Sequence, residues 1–284
     1  MAMLHDPRVI DSASQQYNAE LVRREDETDD LAYFWVRFRG DPVPFEPGQY
    51  MTIGVYADGK LVQRPYSVAS SPRTAAEGYE FYVRLVPILR FTTLLWRLPV
   101  GHPMRMTGPK GRFTLEPNDD RTHLFIATGT GIAPFVSMIR TGLIDGTPRR
   151  TVVAHGVSYV RELGYRRQLE TWQREGYPIT YVPTISRPHD PANAGWTGRV
   201  GRVETILDDL CEECRIIPSQ TVVYICGNPE MILKAEAVVR GHGLPQPHVK
   251  KELYWPKGKD AGRPVGVTSG ERIRSPLAEM AAES

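Results

Sequence analysis

Hydrophobic and polar residues alternate along the first half of this chain. The alternation has a period of two, which is typical of strands that bury one face. Four segments show it: residues 31–39, 49–55, 62–70 and 80–86. Turn residues such as Pro47-Gly48 separate these short segments. The pattern predicts an antiparallel β-barrel or sandwich, interrupted by one short helix at residues 91–98.

The pattern of apolar and polar residues changes near residue 120, where short apolar segments alternate with longer segments of helical character. Strands are predicted at residues 122–127, 151–156, 179–185 and 221–226. Helices are predicted between and after them, at residues 133–143, 161–175, 202–213 and 229–241. Regular alternation of strand and helix indicates an α/β domain, a parallel sheet with helices on its faces.

The two patterns divide the chain into an all-β domain and an α/β domain. We place the first at residues 1–118 and the second at residues 119–255. Residues 256–284 begin as a loop rich in glycine, proline and lysine, and only residues 275–283 have helical character. We interpret residues 256–284 as a flexible C-terminal extension.

Composition restricts the classes of function. Of the 284 residues, 41% are hydrophobic and 24% are charged, which is ordinary for a globular protein. The formal net charge of +2 provides no overall field that would attract nucleic acid or an anionic membrane. The sequence has no segment near the ~20 apolar residues of a membrane span, and it does not begin like a signal peptide. We therefore expect a cytoplasmic protein.

Three cysteines occur, Cys211, Cys214 and Cys226. They are too few for a disulfide framework or for the four thiolates of an iron–sulfur cluster. Cys211 and Cys214 have the spacing of a redox or metal-binding pair, but they lie at the end of a predicted amphipathic helix. We therefore predict no metal site.

The segment Arg64-Pro65-Tyr66-Ser67 brings three complementary groups together. In an extended strand, Arg64 and Tyr66 share one face. A guanidinium fork suits a phosphate, an aromatic ring stacks on a flat heterocycle, and a hydroxyl bonds a ring nitrogen. Together these are the requirements of a flavin nucleotide. The alternative is an ordinary strand with an exposed arginine and a half-buried tyrosine.

The turn Thr128-Gly129-Thr130-Gly131 follows a predicted strand and precedes a helix with Pro134 in its first turn. Glycines in such a turn let a pyrophosphate approach the backbone at the helix N-terminus. The pattern is GxGxxP, however, and not the GxGxxG of the ordinary dinucleotide fingerprint. It indicates nucleotide binding in a less common form.

Further candidate residues follow other strands of the predicted parallel sheet. Cys226-Gly227 ends one buried strand, and Ser186-Arg187 follows another. Ligands of such sheets lie beyond the carboxyl ends of the strands, so these turns would face the same crevice as the glycine turn. An arginine and a hydroxyl suit the 2′-phosphate of NADP, and Arg199 would join them. Plain surface arginines are the alternative.

The order of these motifs resembles that of the ferredoxin–NADP reductase family, in which an FAD-binding β-barrel precedes an α/β domain that binds the pyridine nucleotide. The resemblance covers about residues 17–255. The motifs that carry it are Pro47-Gly-Gln-Tyr50, Arg64-Pro-Tyr-Ser67, Gly108-Pro-Lys-Gly-Arg-Phe113, Thr128-Gly-Thr-Gly-Ile-Ala-Pro134 and Cys226-Gly-Asn-Pro-Glu-Met231. Residues 248–255 resemble the end of the bacterial, NADPH-linked branch.

For FAD, the resemblance implies contacts with Arg64, Pro65, Tyr66, Ser67, Tyr82, Val83, Arg84, Thr92, Thr93, Tyr254 and Trp255. Arg64 would bind the pyrophosphate, Tyr66 would stack on the isoalloxazine, and Ser67 would bond near flavin N5. Tyr254 and Trp255 would cover the isoalloxazine or the adenine. Residues 87–93 depart from the family because they are bulky where a glycine-rich turn is usual, which leaves Thr92 and Thr93 as phosphate donors.

For NADP, the resemblance implies contacts with Thr128, Gly129, Thr130, Gly131, Ser186, Arg187, Arg199, Cys226, Gly227 and Glu230. Ser186, Arg187 and Arg199 would hold the 2′-phosphate. Cys226 would lie beside the nicotinamide, and with Ser67 and Tyr66 it completes the implied catalytic residues.

The resemblance implies an NADPH:ferredoxin oxidoreductase that passes electrons through FAD to an acidic carrier, ferredoxin or flavodoxin, and acts as a monomer. Basic residues late in the barrel would form the docking face, or are plain solvated surface: Arg90, Arg97, Arg105, Lys110 and Arg112. Two alternatives are an NAD(P)H-dependent flavin reductase component of an oxygenase system and a non-catalytic flavin redox sensor. The acceptor, the direction of electron flow and the role of residues 256–284 stay open.

Overall fold

A computed structural model describes residues 16–253 of the chain. The first of its two sheets contains six antiparallel strands. They are β1 (Ala19–Thr28), β2 (Leu31–Phe38), β3 (Tyr50–Ala57), β4 (Lys60–Ser67), β5 (Tyr79–Arg84) and β6 (Pro103–Lys110), with helix α1 (Arg90–Leu95) between β5 and β6. The order is β4-β3-β6-β1-β2-β5. The sheet curls until its edges meet, since the Ala69 N–H donates to the Glu80 carbonyl at 2.8 Å.

The second sheet also has six strands, which run parallel. They are β7 (Thr122–Thr128), β8 (Thr151–Val157), β9 (Ile179–Ile185), β10 (Arg199–Val200), β11 (Thr221–Gly227) and β12 (Val249–Leu253), in the order β10-β9-β8-β7-β11-β12. The helices are α2 (Ala133–Ile144), α3 (Arg166–Arg174), α4 (Leu207–Glu213) and α5 (Pro229–Gly241).

The predicted fold class, an antiparallel β-barrel followed by a parallel-sheet α/β domain, is confirmed. In β2, Ala32, Phe34 and Val36 point into the barrel and are fully buried, as the alternating pattern predicts. Residues 123–127 of β7 and all of β11 are buried because helices cover both faces of the parallel sheet.

Two predicted helices begin later than the sequence pattern indicates. The helix predicted at residues 161–175 is α3, which starts at Arg166. A 3-10 turn at Val160–Glu162 precedes it, and Tyr165 adopts a left-handed φ of 62° that an α-helix does not accommodate. Likewise a 3-10 turn at Val203–Ile206 replaces the first turn of the helix predicted at residues 202–213.

Strands β1, β6 and β12 lie in segments without a clear alternating pattern. In β1, only Ala19 and Leu21 are fully buried, and most of the other positions carry charged or polar side chains. Its pairing with β2 also contains irregularities that shift the register. Period-two reasoning needs one continuous buried face, which β1 lacks.

No helix within residues 16–253 is long and apolar enough to cross a membrane. The predicted extension at residues 256–284, together with Tyr254 and Trp255, lies outside the described residues. The predicted boundary between residues 118 and 119 stays a prediction.

A buried ion pair joins the two sheets. Glu80 of β5 is 5% exposed, and its carboxylate accepts hydrogen bonds from the Arg140 guanidinium of α2 and from the Tyr165 hydroxyl, the latter at 2.8 Å. Arg140 also donates to the Ala69 carbonyl at 3.0 Å and to the Gln168 side chain at 2.8 Å. Every group in this network therefore has a partner, and the network spans the junction of the barrel and the α/β domain.

Replacing Arg140 by methionine should destabilise the protein strongly, because it leaves the Glu80 carboxylate buried without its cation. Removing one partner of a buried pair costs about 3–5 kcal/mol in the free energy of unfolding. Urea unfolding of the Arg140→Met variant measures this loss.

The matched control is Arg73→Met. The Arg73 guanidinium bonds Asp145 at 2.8 Å and also links the two sheets, but its side chain is 59% exposed. Water screens this pair, so we expect little change in stability. Equal losses in the two variants would show that the buried network has no special role.

Candidate functional site

Ser67 lies where the two sheets meet. It is the last residue of β4 and is 5% exposed, and its hydroxyl donates to Oε2 of Glu252 at 3.3 Å. Glu252 comes from β12 of the other sheet, and β12 pairs Glu252 with Cys226 of β11. Ser67, a predicted catalytic residue, thus contacts the strand neighbour of Cys226, a second predicted catalytic residue.

Glu252 is a candidate functional residue that the sequence analysis missed. Burial raises the pKa of its carboxyl to about 7, and the hydrogen bond from Ser67 offsets only part of this rise. A group with a pKa near neutral can take up or release a proton at working pH. Its sequence context, a glutamate between a lysine and a leucine, contains no signal that marks it.

The glycine turn after β7 packs directly against the turn after β11. A Cβ on Gly131 would lie 2.4 Å from the Cys226 carbonyl oxygen, and a Cβ on Gly227 would lie 2.3 Å from Oγ1 of Thr128. The Thr128 hydroxyl also accepts from the Asn228 N–H at 3.0 Å. A side chain at either glycine is therefore excluded.

Gly129 supplies the open part of this site. Its φ is +52°, and a Cβ there would meet no atom within 4 Å. The turn leads into α2, which has a proline in its first turn as predicted. A nucleotide phosphate can therefore approach the backbone at Gly129, as the sequence pattern implies.

A buried histidine, His155, forms a hydrogen bond with the main chain of the glycine turn. Nε2 of His155 lies 3.0 Å from the Gly129 carbonyl oxygen, and Nδ1 lies 3.2 Å from the Tyr181 hydroxyl. Since only a ring N–H bonds a carbonyl, Nε2 carries the proton and Nδ1 accepts from Tyr181. Burial lowers the pKa of His155 to about 4, so the ring is neutral at physiological pH.

The predicted flavin motif, residues 64–67, forms the C-terminal end of β4. Arg64 and Pro65 are exposed, and the Arg64 guanidinium donates to the Gln63 carbonyl at 2.7 Å. The Tyr66 ring is half-buried and packs on Phe91 of α1, with ring centroids 5.8 Å apart. Burial raises the pKa of the Tyr66 hydroxyl, so it stays protonated.

The side chains of Tyr82, Val83 and Arg84 are engaged within the protein. Val83 is fully buried in the barrel core, and Tyr82 stacks on Tyr33 at 4.8 Å. Arg84 pairs with Asp30 at 2.7 Å and with Glu162 at 3.0 Å. We therefore expect an FAD contact from this part of β5 to use its main-chain groups. The resemblance implies contacts with these residues but does not say which of their atoms make them.

The hydroxyls of Thr92 and Thr93, predicted as phosphate donors, bond main-chain carbonyl groups in the structure. The Thr92 hydroxyl is buried and lies 2.9 Å from the Val86 carbonyl oxygen and 3.1 Å from the Leu89 carbonyl oxygen. The Thr93 hydroxyl lies 2.9 Å from the Arg90 carbonyl oxygen. The bulky turn before α1 thus uses these hydroxyls to satisfy its own carbonyl groups.

The charged side chains predicted to contact NADP have partners within the protein, and their assignment stays a prediction. Ser186 and Arg187 follow β9, as expected, and Arg187 donates to the Tyr159 hydroxyl. The Arg199 guanidinium instead pairs with Glu213, the last residue of α4. Glu230 pairs with Lys234 one helical turn along α5, at 2.6 Å.

Comparison with known proteins identifies the family. Two family models match the chain: an oxidoreductase FAD-binding domain at residues 18–115 and an oxidoreductase NAD-binding domain at residues 125–237. Ferredoxin–NADP reductase B of Sorangium cellulosum is 32% identical over 221 residues, which are 77% of this chain and 88% of that protein. The chain belongs to the ferredoxin–NADP reductase family.

A second relative and a solved structure are also similar to this chain. The ferredoxin–NAD(P)+ reductase component of the naphthalene 1,2-dioxygenase system of Pseudomonas putida is 27% identical over 239 residues, 84% of this chain and 69% of that protein. The crystal structure of a ferredoxin NADP+ reductase from Neisseria gonorrhoeae, with bound FAD and NADP, shares the fold: the TM-score is 0.72 at 22% identity, over 84% of this chain and 99% of that one.

These matches confirm an FAD-dependent oxidoreductase that also uses a pyridine nucleotide. The described residues fit both groups. An exposed arginine and a half-buried tyrosine at the end of β4 suit FAD, and the open, side-chain-free turn at Gly129 suits a nucleotide phosphate. The assignments of individual binding and catalytic residues stay predictions.

Protonation of His155 should destabilise the protein in acid. Its pKa is about 4 when folded and about 6.5 when unfolded, so the unfolded chain binds a proton first as the pH falls. The free energy of unfolding should therefore drop between these two pH values, with His155 contributing roughly 3 kcal/mol.

Urea unfolding across this pH range, with the His155→Gln variant beside the wild type, measures the contribution. Glutamine keeps a donor for the Gly129 carbonyl but does not titrate, so the variant should lose less stability in acid. His123 is also buried with its pKa lowered to about 4, and it remains in both proteins as an internal control. An identical pH dependence in the two proteins would contradict the assignment.

Proposed function

We propose that this protein transfers electrons from NADPH through FAD to an acidic one-electron carrier protein, ferredoxin or flavodoxin, as a cytoplasmic monomer. The observation that carries the proposal is the meeting of Ser67, Glu252 and Cys226 at the junction of the two sheets. A flavin at the end of β4 and a nicotinamide at the end of β11 would be adjacent there. All three cysteines are free thiols, in keeping with a reducing compartment.

Residues 64–67 would hold FAD, which when bound would supply the change from two-electron hydride transfer to one-electron transfer. The residues of the chain would orient the two cofactors and stabilise charge near them. Ser67 donates to Glu252, and the glycines at 131 and 227 let the two turns pack main chain to main chain. With a pKa of about 7, Glu252 would exchange a proton near neutral pH beside the proposed point of transfer.

An acidic carrier is supported by the basic residues late in the barrel. Arg97, Lys110 and Arg112 are exposed. Arg90 is exposed too but is paired with Asp58. Such a face would steer an acidic partner and make association sensitive to salt.

Anaerobic stopped-flow mixing of the FAD-loaded protein with NADPH and with NADH tests the proposal. We expect flavin absorbance to bleach at least about tenfold faster with NADPH, since a phosphate bound by arginine contributes a charge-assisted hydrogen bond that NADH lacks. Equal rates would contradict NADPH preference and leave the reductase activity standing. No bleaching with either nucleotide would favour the redox sensor.

A second candidate is the reductase component of an oxygenase system, which the similarity to the naphthalene dioxygenase component favours. The two functions differ in the protein that takes the electrons. Reduction of a purified ferredoxin or flavodoxin that falls steeply with salt would support the carrier function. Electron delivery only to an oxygenase would support the second candidate.

Glu252 should make flavin reduction by NADPH pH-dependent. Above pH ~7 the carboxyl is ionised, and its negative charge opposes the arrival of a hydride nearby. The rate should therefore fall as pH rises through the pKa of about 7, and the Glu252→Gln variant should lose this dependence.

Stopped-flow rates across the neutral pH range measure the effect. Glu236→Gln is the matched control, because Glu236 pairs with Lys251, next to Glu252 in the chain, and its carboxylate takes no part in the Ser67–Glu252 pair. A titration near neutral pH that persists in Glu252→Gln would assign it to another group.

A further inference from the structure

A cavity of about 170 Å³ lies at the amino-terminal edge of the parallel sheet. Residues near the starts of three strands form one wall: His123, Phe125, Thr151 and Ile179. The C-terminal half of α2 forms another, through Met138, Ile139, Gly142 and Leu143. The nucleotide turns follow the opposite, carboxyl ends of the same strands, so the cavity is roughly 15–20 Å away from them.

The cavity reaches solvent at the turn after α2, where Thr147 and Pro148 line it and are exposed. The negative groups at this mouth already have partners. The Gly142 carbonyl at the end of α2 accepts from the Thr147 N–H at 2.8 Å. The two carboxylate oxygens of Asp145 accept from Arg73 at 2.8 and 2.9 Å. A small molecule can therefore enter without meeting an unpaired negative charge.

His123 brings a polar group without a partner to the wall of the cavity. Its imidazole is fully buried, and within residues 16–253 neither ring nitrogen has a hydrogen-bond partner. Oδ2 of Asp119 lies 3.7 Å from Nε2, which is too far for a hydrogen bond, and Arg121 bonds both Asp119 oxygens. Burial lowers the pKa of His123 to about 4, so the ring is neutral and carries one N–H donor. A buried polar group of this kind calls for a bound partner.

Arg149 brings a positive charge to the same cavity. It is half-buried, and it donates to the Asp119 carbonyl at 2.7 Å. In the described part of the chain its guanidinium makes no ion pair, whereas the carboxylates of Asp119 and Asp145 are paired with other arginines. The cavity therefore has an uncompensated positive charge beside the neutral N–H of His123.

Most of the remaining wall is apolar. Phe125 and Met138 are buried, and Leu143 is half-buried. An apolar cavity of about 150 Å³ holds a benzene ring, and a methionine sulfur makes favourable contacts with aromatic rings. The volume and the lining suit one small apolar body that carries a single anionic group.

We propose that this cavity binds a small carboxylic acid with an apolar body, of the size of benzoate. The apolar body would lie among Phe125, Met138 and Leu143. The carboxylate would accept hydrogen bonds from His123 and from the guanidinium fork of Arg149, whose geometry matches a carboxylate. The site is separate from the proposed flavin and nucleotide sites, and it does not depend on which electron acceptor the protein uses.

The experiment is an NMR titration of the FAD-loaded protein, isotope-labelled at its methionine methyl groups. The probes are benzoate and benzyl alcohol, which has the same ring but no charge. The Met138 methyl resonance, assigned with the Met138→Leu variant, reports a ring that enters the cavity. The Met231 methyl is the internal control, because Met231 lies in the first turn of α5, beside the nucleotide crevice.

We expect benzoate to shift the Met138 resonance with a dissociation constant below about 1 mM, and to leave Met231 unchanged. Benzyl alcohol should bind at least about tenfold more weakly, because it cannot form a charge-assisted hydrogen bond. Arg149→Gln should weaken benzoate by a similar factor and change benzyl alcohol by less than about twofold.

Two further variants test the position of the site. Arg150→Gln is the matched control, since Arg150 is exposed, lies outside the cavity and donates to the Cys214 carbonyl at 3.4 Å. It should bind both probes as the wild type does. Leu143→Phe fills part of the cavity and should abolish the Met138 shift with either probe. Flavin absorbance and thermal unfolding check that this variant folds, and if it does not, the comparison of Arg149→Gln with Arg150→Gln decides.

Three results would overturn the proposal. No Met138 shift with benzoate up to roughly 10 mM would show that the cavity holds water only. Equal affinity for benzoate and benzyl alcohol would reject a carboxylic acid as the ligand. A benzoate shift of Met231 without one of Met138 would place the acid in the nucleotide crevice instead.

Discussion

The buried carboxylate of Glu80 determines how the two sheets face each other. A charge in that position is tolerated only with hydrogen-bonding partners on several sides, and the partners come from both sheets: Arg140 and Tyr165 from the α/β domain, with the Ala69 carbonyl sharing Arg140. Ala69 follows β4 closely, so the network also fixes the end of the strand that carries Ser67. Other placements of the domains would leave Glu80 without its cation.

Transfer between two cofactors requires that both binding turns hold their positions to within a fraction of an ångström. The chain achieves this by excluding side chains and by burying neutral polar groups. Gly131 and Gly227 allow the main chains of the two turns to pack directly against each other. Neutral His155 donates a hydrogen bond to the Gly129 carbonyl of the glycine turn. Glu252 then closes the gap between the sheets with a carboxyl whose proton is exchangeable near neutral pH.

Patterns in the sequence predict the fold class and the turns of the parallel sheet, because periodicity and glycine placement are local properties. Side-chain pairing involves residues that are distant in the chain, so the sequence analysis does not predict which side chains pair. Nothing around Glu252 indicates that Ser67, distant in the chain, is its partner. The pairing of Arg199 with Glu213 likewise depends on how α4 packs. The hydrogen bond from the Thr92 hydroxyl to the Val86 carbonyl depends on the shape of the turn before α1.

The two carboxylate oxygens of Glu162 serve different domains. Oε2 holds the turn that presents Arg161, and Oε1 pairs with Arg84 on a strand of the barrel. The turn after β8 and the packing of that turn on the barrel therefore share one side chain. A substitution of Glu162 would disturb both at once, so this position has little freedom to vary.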